Sequence, residues 1–338
     1  MNIKDIPLAE PLITCYTPVA ALFSILGKSP QTNDWILSNY INVTGYFYSF
    51  NGAAQLVLIP SWHATKFCPW IIESILSRDI YLSFNSSIVD YLVSCLNSNH
   101  YIFVVVDYSQ IDCYDNKEYM PHDLFISGYD YDKKVFYIYD FVISRKFRRY
   151  EIPFSQIEQA FLCLKPEDDY INENFGGITL WKYNENAKYD LDLIHMKENL
   201  EEYLSQTNYM NNLRFMRNPQ NDEYIKIKHG IGVYDFLKEV VIDHPYSIPK
   251  CMHNFYDHKA LMVHRLKSLD DKGLLRNADM LIKAFTEIMN EIGKNCNLGI
   301  KYELTKDESL LQRIMSSLDR TKALEIDTVK SIVESIII

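Results

Sequence analysis

The chain has 338 residues, 48% hydrophobic and 23% charged, with 17 Phe and 25 Tyr, which is enough apolar surface for two globular cores and too much for a disordered chain. A formal net charge of -10 argues against nucleic-acid binding, which needs a basic surface to displace counterions from phosphates. No run approaches the roughly 18 apolar residues of a membrane span, and the first ten residues lack the basic and apolar regions of a secretory signal.

Seven cysteines, at 15, 68, 95, 113, 163, 251 and 296, form no C-x-x-C pair. An odd, scattered set suits free thiols in a reducing compartment, so a cytoplasmic protein without disulfides is expected.

Residues 15–26 read as a helix, with Val19, Leu22, Phe23 and Leu26 on a 3.6-residue period and Gly27 as a left-handed stop. Pro18 fits only the first turn, which puts Cys15 at the helix N-terminus, where the positive end of the dipole favours a thiolate. Residues 69–77 and 86–97 read as two further helices, on Ile71, Ile72 and Ile75 and on Ile88, Tyr91, Leu92 and Leu96. The β-branched run Tyr101-Ile102-Phe103-Val104-Val105-Val106 is a buried strand. Residues 122–129 and 135–141 form a hairpin around the polar turn Asp130-Tyr131-Asp132-Lys133-Lys134. A hairpin returns the end of its second strand toward the start of its first, so His122 and Asp140 share one end of the sheet.

A third strand is expected near 145–152 and a helix over 155–164. The acidic, turn-rich stretch 166–177 then reads as a linker. Beyond it the pattern is almost wholly helical, over 190–205, 230–242, 251–270, 274–294, 307–317 and 323–336. The expected organisation is an α+β domain over 1–165 and a helical domain over 166–338.

Cys15, His122 and Asp140 are the three side-chain types of a thiol nucleophile site: a thiol, an imidazole to hold its proton and a carboxylate to fix the imidazole. Taken singly, each has an ordinary alternative, as a small buried hydrophobe, a satisfied core histidine and a strand-ending turn former. Taken in order, a Cys-led helix, a His opening a strand and an Asp closing the next match the topology of the papain-like fold.

The segment Tyr119-Met120-Pro121-His122-Asp123-Leu124-Phe125-Ile126-Ser127-Gly128-Tyr129-Asp130, with the Cys15 helix and the strand ending at Asp140, resembles the N-terminal domain of the butirosin-biosynthesis-H-type family. In the second half, 229–237 and 256–266 resemble helical segments of the same family. A related resemblance is to the papain-like condensing proteins of closthioamide-type thioamide assembly. The resemblance implies an acyltransferase that moves an acyl or peptidyl chain from the phosphopantetheine thioester of a carrier protein, through an acyl-Cys15 intermediate, to a small amine such as a diamine. His122 would carry the protons and Asp140 would orient it, with no cofactor beyond the carrier's own prosthetic arm.

The chain departs from papain-like peptidases where they place an oxyanion-donating Gln shortly before the Cys, because here the stretch is Ala9-Glu10-Pro11 and an ionised Glu cannot donate. The Cys15 backbone N–H and either Asn51 or Gln55 are the candidate donors instead. The basic residues Arg145, Lys146, Arg148 and Arg149 are a candidate docking surface for an acidic carrier protein, with a solvated strand face as the ordinary alternative. No metal site is expected, since His253, Asp257, His258 and His264 carry no zinc-binding motif, and no Gly-rich phosphate loop occurs. Two rival functions remain: a cysteine peptidase or amide hydrolase using the same trio, and a non-catalytic binding module.

Overall fold

The computed structural model describes residues 2–48, 52–60, 64–84, 86–142, 146–168, 170–171, 175–207 and 227–338. In chain order the elements begin with β1 (Ile3–Asp5), α1 (Thr17–Leu26), α2 (Asn33–Ser38), β2 (Asn42–Phe47), β3 (Ala54–Ile59) and α3 (Ala64–Phe67). There follow β4 (Ile71–Leu76), α4 (Arg78–Ser83), α5 (Ile88–Asn97), β5 (His100–Asp107), β6 (Pro121–Asp130), β7 (Val135–Asp140), β8 (Arg148–Pro153) and α6 (Phe154–Leu162). The remainder is β9 (Tyr170–Ile171), β10 (Phe175–Gly176), β11 (Ile178–Tyr183), α7 (Leu193–Ser205), β12 (Lys228–His229), α8 (Val233–Asp243), α9 (Ile248–Asp271), α10 (Ala278–Thr305) and α11 (Glu308–Ser335). The class is α+β, with antiparallel sheets and a helical C-terminal region. None of the described helices is long and apolar enough to cross a membrane.

The chain divides into two compact units, residues 1–33 with 62–189, and residues 34–61 with 190–338. This differs from the expected division at 165/166. Strand β11 lies beyond that point, yet it inserts between β4 and β5 of the first unit, and its backbone bonds carry the unit to residue 189. Residues 34–61 belong to the helical unit because β2 pairs with β12 and with β3, and α8 and α9 pack on these two strands.

In the first unit the sheet runs β4-β11-β5-β6-β7-β8. Strand β5 is central and buried from Tyr101 to Asp107, which is why it is apolar without alternation. Helices α5 and α6 pack on β5, and α1 on β6 and β7. Phe103 links two neighbouring strands through Trp181 at 4.5 Å and Phe125 at 4.8 Å.

Where the β5 pairing ends at Ile126, β1 takes over along β6, with Asp5 across from Gly128. A Cβ on Gly128 would stand 2.3 Å from the Lys4 carbonyl oxygen, so the close approach of β1 requires glycine there.

Three local readings are corrected. Residues 71–76 form the edge strand β4 rather than a helix; Ile72 and Ile75 are about half exposed, so the spacing that mimicked a helical face is not buried on one. Gly27 is right-handed, at φ -60°, and its small size serves packing, since a Cβ there would lie 3.0 Å from that of Ala9. The two helices expected over 307–336 are the single helix α11.

In the second unit, α9 carries buried polar side chains that donate to backbone carbonyls of residues 37–56. Arg265 donates from Nε to the Leu37 carbonyl at 2.8 Å and from Nη2 to that of Tyr40 at 3.0 Å. His258 Nε2 donates to the Ile41 carbonyl at 2.6 Å, and Asn254 Nδ2 to that of Leu56 at 2.8 Å. Next to His258 in the chain, the buried Lys259 ammonium lies 2.6 Å from Glu325 Oε1, and the hydroxyls of Tyr203 and Tyr234 donate to the same carboxylate at 2.7 and 2.6 Å.

A buried charge left without its partner is costly, whereas replacing the pair by apolar groups often is not. Glu325→Gln is therefore expected to lose about 3 kcal/mol or more of stability in urea denaturation, and Lys259→Met with Glu325→Leu, made together with Tyr203→Phe and Tyr234→Phe so that no hydroxyl loses its acceptor, to recover most of that loss.

Candidate active site

Cys15 lies in the bend before α1 and is 8% exposed. Tyr16 is the N-cap residue, in extended conformation at φ -151°, and Pro18 occupies the first turn. The helix thus starts two residues later than the sequence pattern suggests, and the thiol precedes the cap rather than lying inside the first turn. The adjoining helix is buried from Val19 to Leu26, a stretch that is apolar but for Ser24.

Thr17, the first helical residue, ties this end of α1 to the sheet: its Oγ1 donates to Asp140 Oδ1 at 2.8 Å. Asp140 closes β7 and is buried. Its Oδ1 also accepts from the Phe141 backbone N–H at 2.8 Å, and its Oδ2 from the hydroxyls of Tyr108 at 2.8 Å and Tyr114 at 2.6 Å. Burial holds both tyrosine hydroxyls well above their usual range, reinforced by the negative charge of Asp140, so they stay protonated and donate.

His122, the second residue of β6, pairs across from Val106 and is partly exposed. Its Nδ1 donates to the carbonyl oxygen of Asp123 at 3.0 Å and lies 3.3 Å from Asp123 Oδ1. That assignment leaves Nε2 as the ring nitrogen for proton transfer. Burial by itself would lower the imidazole, but the Asp123 carboxylate, the bond to the Asp123 carbonyl and the charge of Asp140 outweigh it and hold His122 above its ordinary value. Burial raises the Asp123 carboxyl in turn, against the pull of His122 and with the push of Asp140.

The carboxylate beside the imidazole is therefore Asp123 and not Asp140. Among the described residues the four hydrogen bonds to Asp140 come from Thr17, Phe141 and two tyrosines, and none from the imidazole. Asp123, Tyr108, Tyr114 and Thr17 escaped the sequence reading. Successive strand residues point to opposite faces, which argues against pairing His122 with the residue next to it. The tyrosines follow β5 in short turns with no periodicity. Their only sequence signal is the aromatic pair Tyr108 and Tyr114 just upstream of His122.

The other expected site residues are placed as follows. Asn51 and Arg145 lie outside the described residues. Gln55 is on β3, in the second unit, with Oε1 accepting from Lys250 Nζ at 3.1 Å. Lys146 is exposed, and Arg148 donates to the Tyr150 hydroxyl at 2.8 Å. Arg149 pairs with Asp5 at 3.1 Å and Glu151 at 3.6 Å and sits 3.6 Å above the Tyr137 ring, so its charge is largely answered within the chain. No group of three or more His, Cys, Asp or Glu side chains is arranged to hold a metal among the described residues. Burial pushes the Cys68 and Cys251 thiols up to about 12 and Cys113 to about 11, which keeps these three protonated at neutral pH.

Comparison with protein-family models and with curated proteins gives no match for this chain.

His122 gains its partners only on folding, and its folded value lies above 6.5. The stability it contributes is fully present below pH 6.5 and is lost as pH rises through the raised value. Asp123→Asn removes the main upward pull, so the His122 midpoint in an NMR titration is expected to fall, and the loss of stability above pH 6.5 to flatten.

Proposed function

We propose that the chain is a papain-like acyltransferase, resembling the butirosin-biosynthesis-H-type family, that forms an amide from a carrier-protein thioester and an amine in the cytoplasm. The observation that carries this reading is a short relay of contacts. Thr17, two residues after Cys15, bonds to Asp140 at 2.8 Å; Asp140 accepts from Tyr108 at 2.8 Å; and the Tyr108 ring lies 4.7 Å from that of His122. The relay ties the start of the Cys15 helix to the strand that carries the imidazole, both within the first unit.

In the reaction, Cys15 Sγ gives its proton to His122 Nε2 and attacks the thioester carbonyl. The carbon–sulfur bond to the phosphopantetheine arm breaks, and the departing thiolate takes the proton from His122. An amine then attacks acyl-Cys15, His122 accepts a proton from it, and Cys15 leaves as the amide forms. Thiol-for-thiol exchange is close to neutral in free energy, and conversion of a thioester to an amide runs downhill. A thioester is also activated enough to need less oxyanion support than a peptide bond, which suits a chain with Glu10 where peptidases have a donor. Among the described residues of the expected docking cluster, Lys146 and Arg148 carry no ion pair and would meet an acidic carrier protein.

Brief incubation with acyl-pantetheine or acyl-carrier thioesters is expected to add the mass of the acyl group, as read by intact mass spectrometry. Cys15→Ala abolishes the adduct, and His122→Ala slows its formation about a hundredfold or more. A diamine discharges the adduct faster than water does. An adduct that hydrolyses without regard to amine identifies a hydrolase instead, and no Cys15 adduct with any thioester identifies a binding module.

A further inference from the structure

We propose that Tyr108 is a positioning residue for His122, holding the plane of the imidazole and its Nδ1–H tautomer by ring stacking. The inference rests on the acyl-transfer reading for its catalytic meaning, though not for its geometry. The Tyr108 ring lies against the imidazole with centroids 4.7 Å apart and planes inclined by 29°. Its other face is covered by Tyr114 at 3.7 Å and 14°, so Tyr108 is the middle ring of a stack of three. It is also buried, at 4% exposure, while His122 keeps part of its surface open.

An exposed imidazole on a strand end turns freely about its terminal torsion, which is broad and roughly two-fold, and such a turn carries Nδ1 away from the carbonyl that fixes its proton. The buried neighbour removes that freedom. A turn about the terminal torsion would lift the imidazole edge-on from the Tyr108 face and break the Nδ1 bond to the Asp123 carbonyl. The Tyr108 hydroxyl anchors the far end of the ring, its one proton shared between that carbonyl oxygen at 2.7 Å and Asp140 Oδ2 at 2.8 Å. One side chain therefore touches the imidazole face, the carbonyl that accepts from Nδ1, and the carboxylate that anchors Thr17. A leucine or methionine would fill the volume but present no flat face.

The test reads His122 in the resting protein, without substrate, by ¹⁵N NMR of the imidazole at a pH above its midpoint. The wild type is expected to show one tautomer, with Nδ1 protonated. Tyr108→Leu, or Tyr108→Met if the leucine variant does not fold, is expected to show a mixture of tautomers and to acylate about a hundredfold more slowly with KM for the thioester little changed. Tyr108→Phe, which keeps the flat ring and gives up only the hydroxyl contacts, is expected to retain the single tautomer. A folded leucine or methionine variant with the wild-type tautomer overturns the proposal, and so does a phenylalanine variant scrambled as fully as the leucine one. If the tautomers behave as expected while the wild type forms no acyl-Cys15, the acyl-transfer reading fails and the positioning of His122 stands.

Discussion

The buried carboxylate of Asp140 accepts four hydrogen bonds from Thr17, Tyr108, Tyr114 and the Phe141 backbone, and the arrangement of the candidate site follows from satisfying it. A carboxylate taken out of water is tolerated only where donors replace its hydration. Here the donors come from the first turn of α1, from the turns after β5 and from the chain just beyond β7. Each is drawn to the end of the sheet where β6 begins. Asp140 thus acts on His122 by its charge and through the elements it gathers, while the adjacent Asp123 supplies the carbonyl and the nearer charge.

The helical unit applies the same requirement in the opposite sense, with buried cations and amides seeking acceptors. Arg265, His258 and Asn254 donate to carbonyls of residues 37–56, and Lys259 meets Glu325 together with two tyrosines. Burial lowers Arg265 to about 9 and Lys259 to about 8, the latter in spite of Glu325. Such groups fix which backbone segment can lie against α9, because a displaced segment would leave them unanswered. That explains how an early stretch, 34–61, becomes part of a unit otherwise made from the second half of the chain.

Local regularities were legible wherever one element buries a continuous face. The run Tyr101 to Val106, the hairpin around Asp130 to Lys134 and the Cys15 helix are all visible in residue spacing and turn chemistry. Features decided by pairing with remote segments were not. Ile71, Ile72 and Ile75 fit a helical period and form an edge strand, because β11, about a hundred residues later, supplies the hydrogen bonds. Gly27 resembles a left-handed stop and is instead a point of close packing against Ala9.

The same division holds at the site. The sequence alone determined that a cysteine stands at the start of an apolar helix and that a histidine and an aspartate lie at one end of a hairpin, because helix periodicity, strand alternation and hairpin return are local rules. Only the tertiary structure decided which carboxylate meets the imidazole, that Thr17 and two tyrosines hold the other one, and that Tyr108 lies on the histidine ring. Those outcomes depend on which donors and flat faces reach a buried charge, and that is set by how the turns after β5 and the start of α1 come together at the end of the sheet.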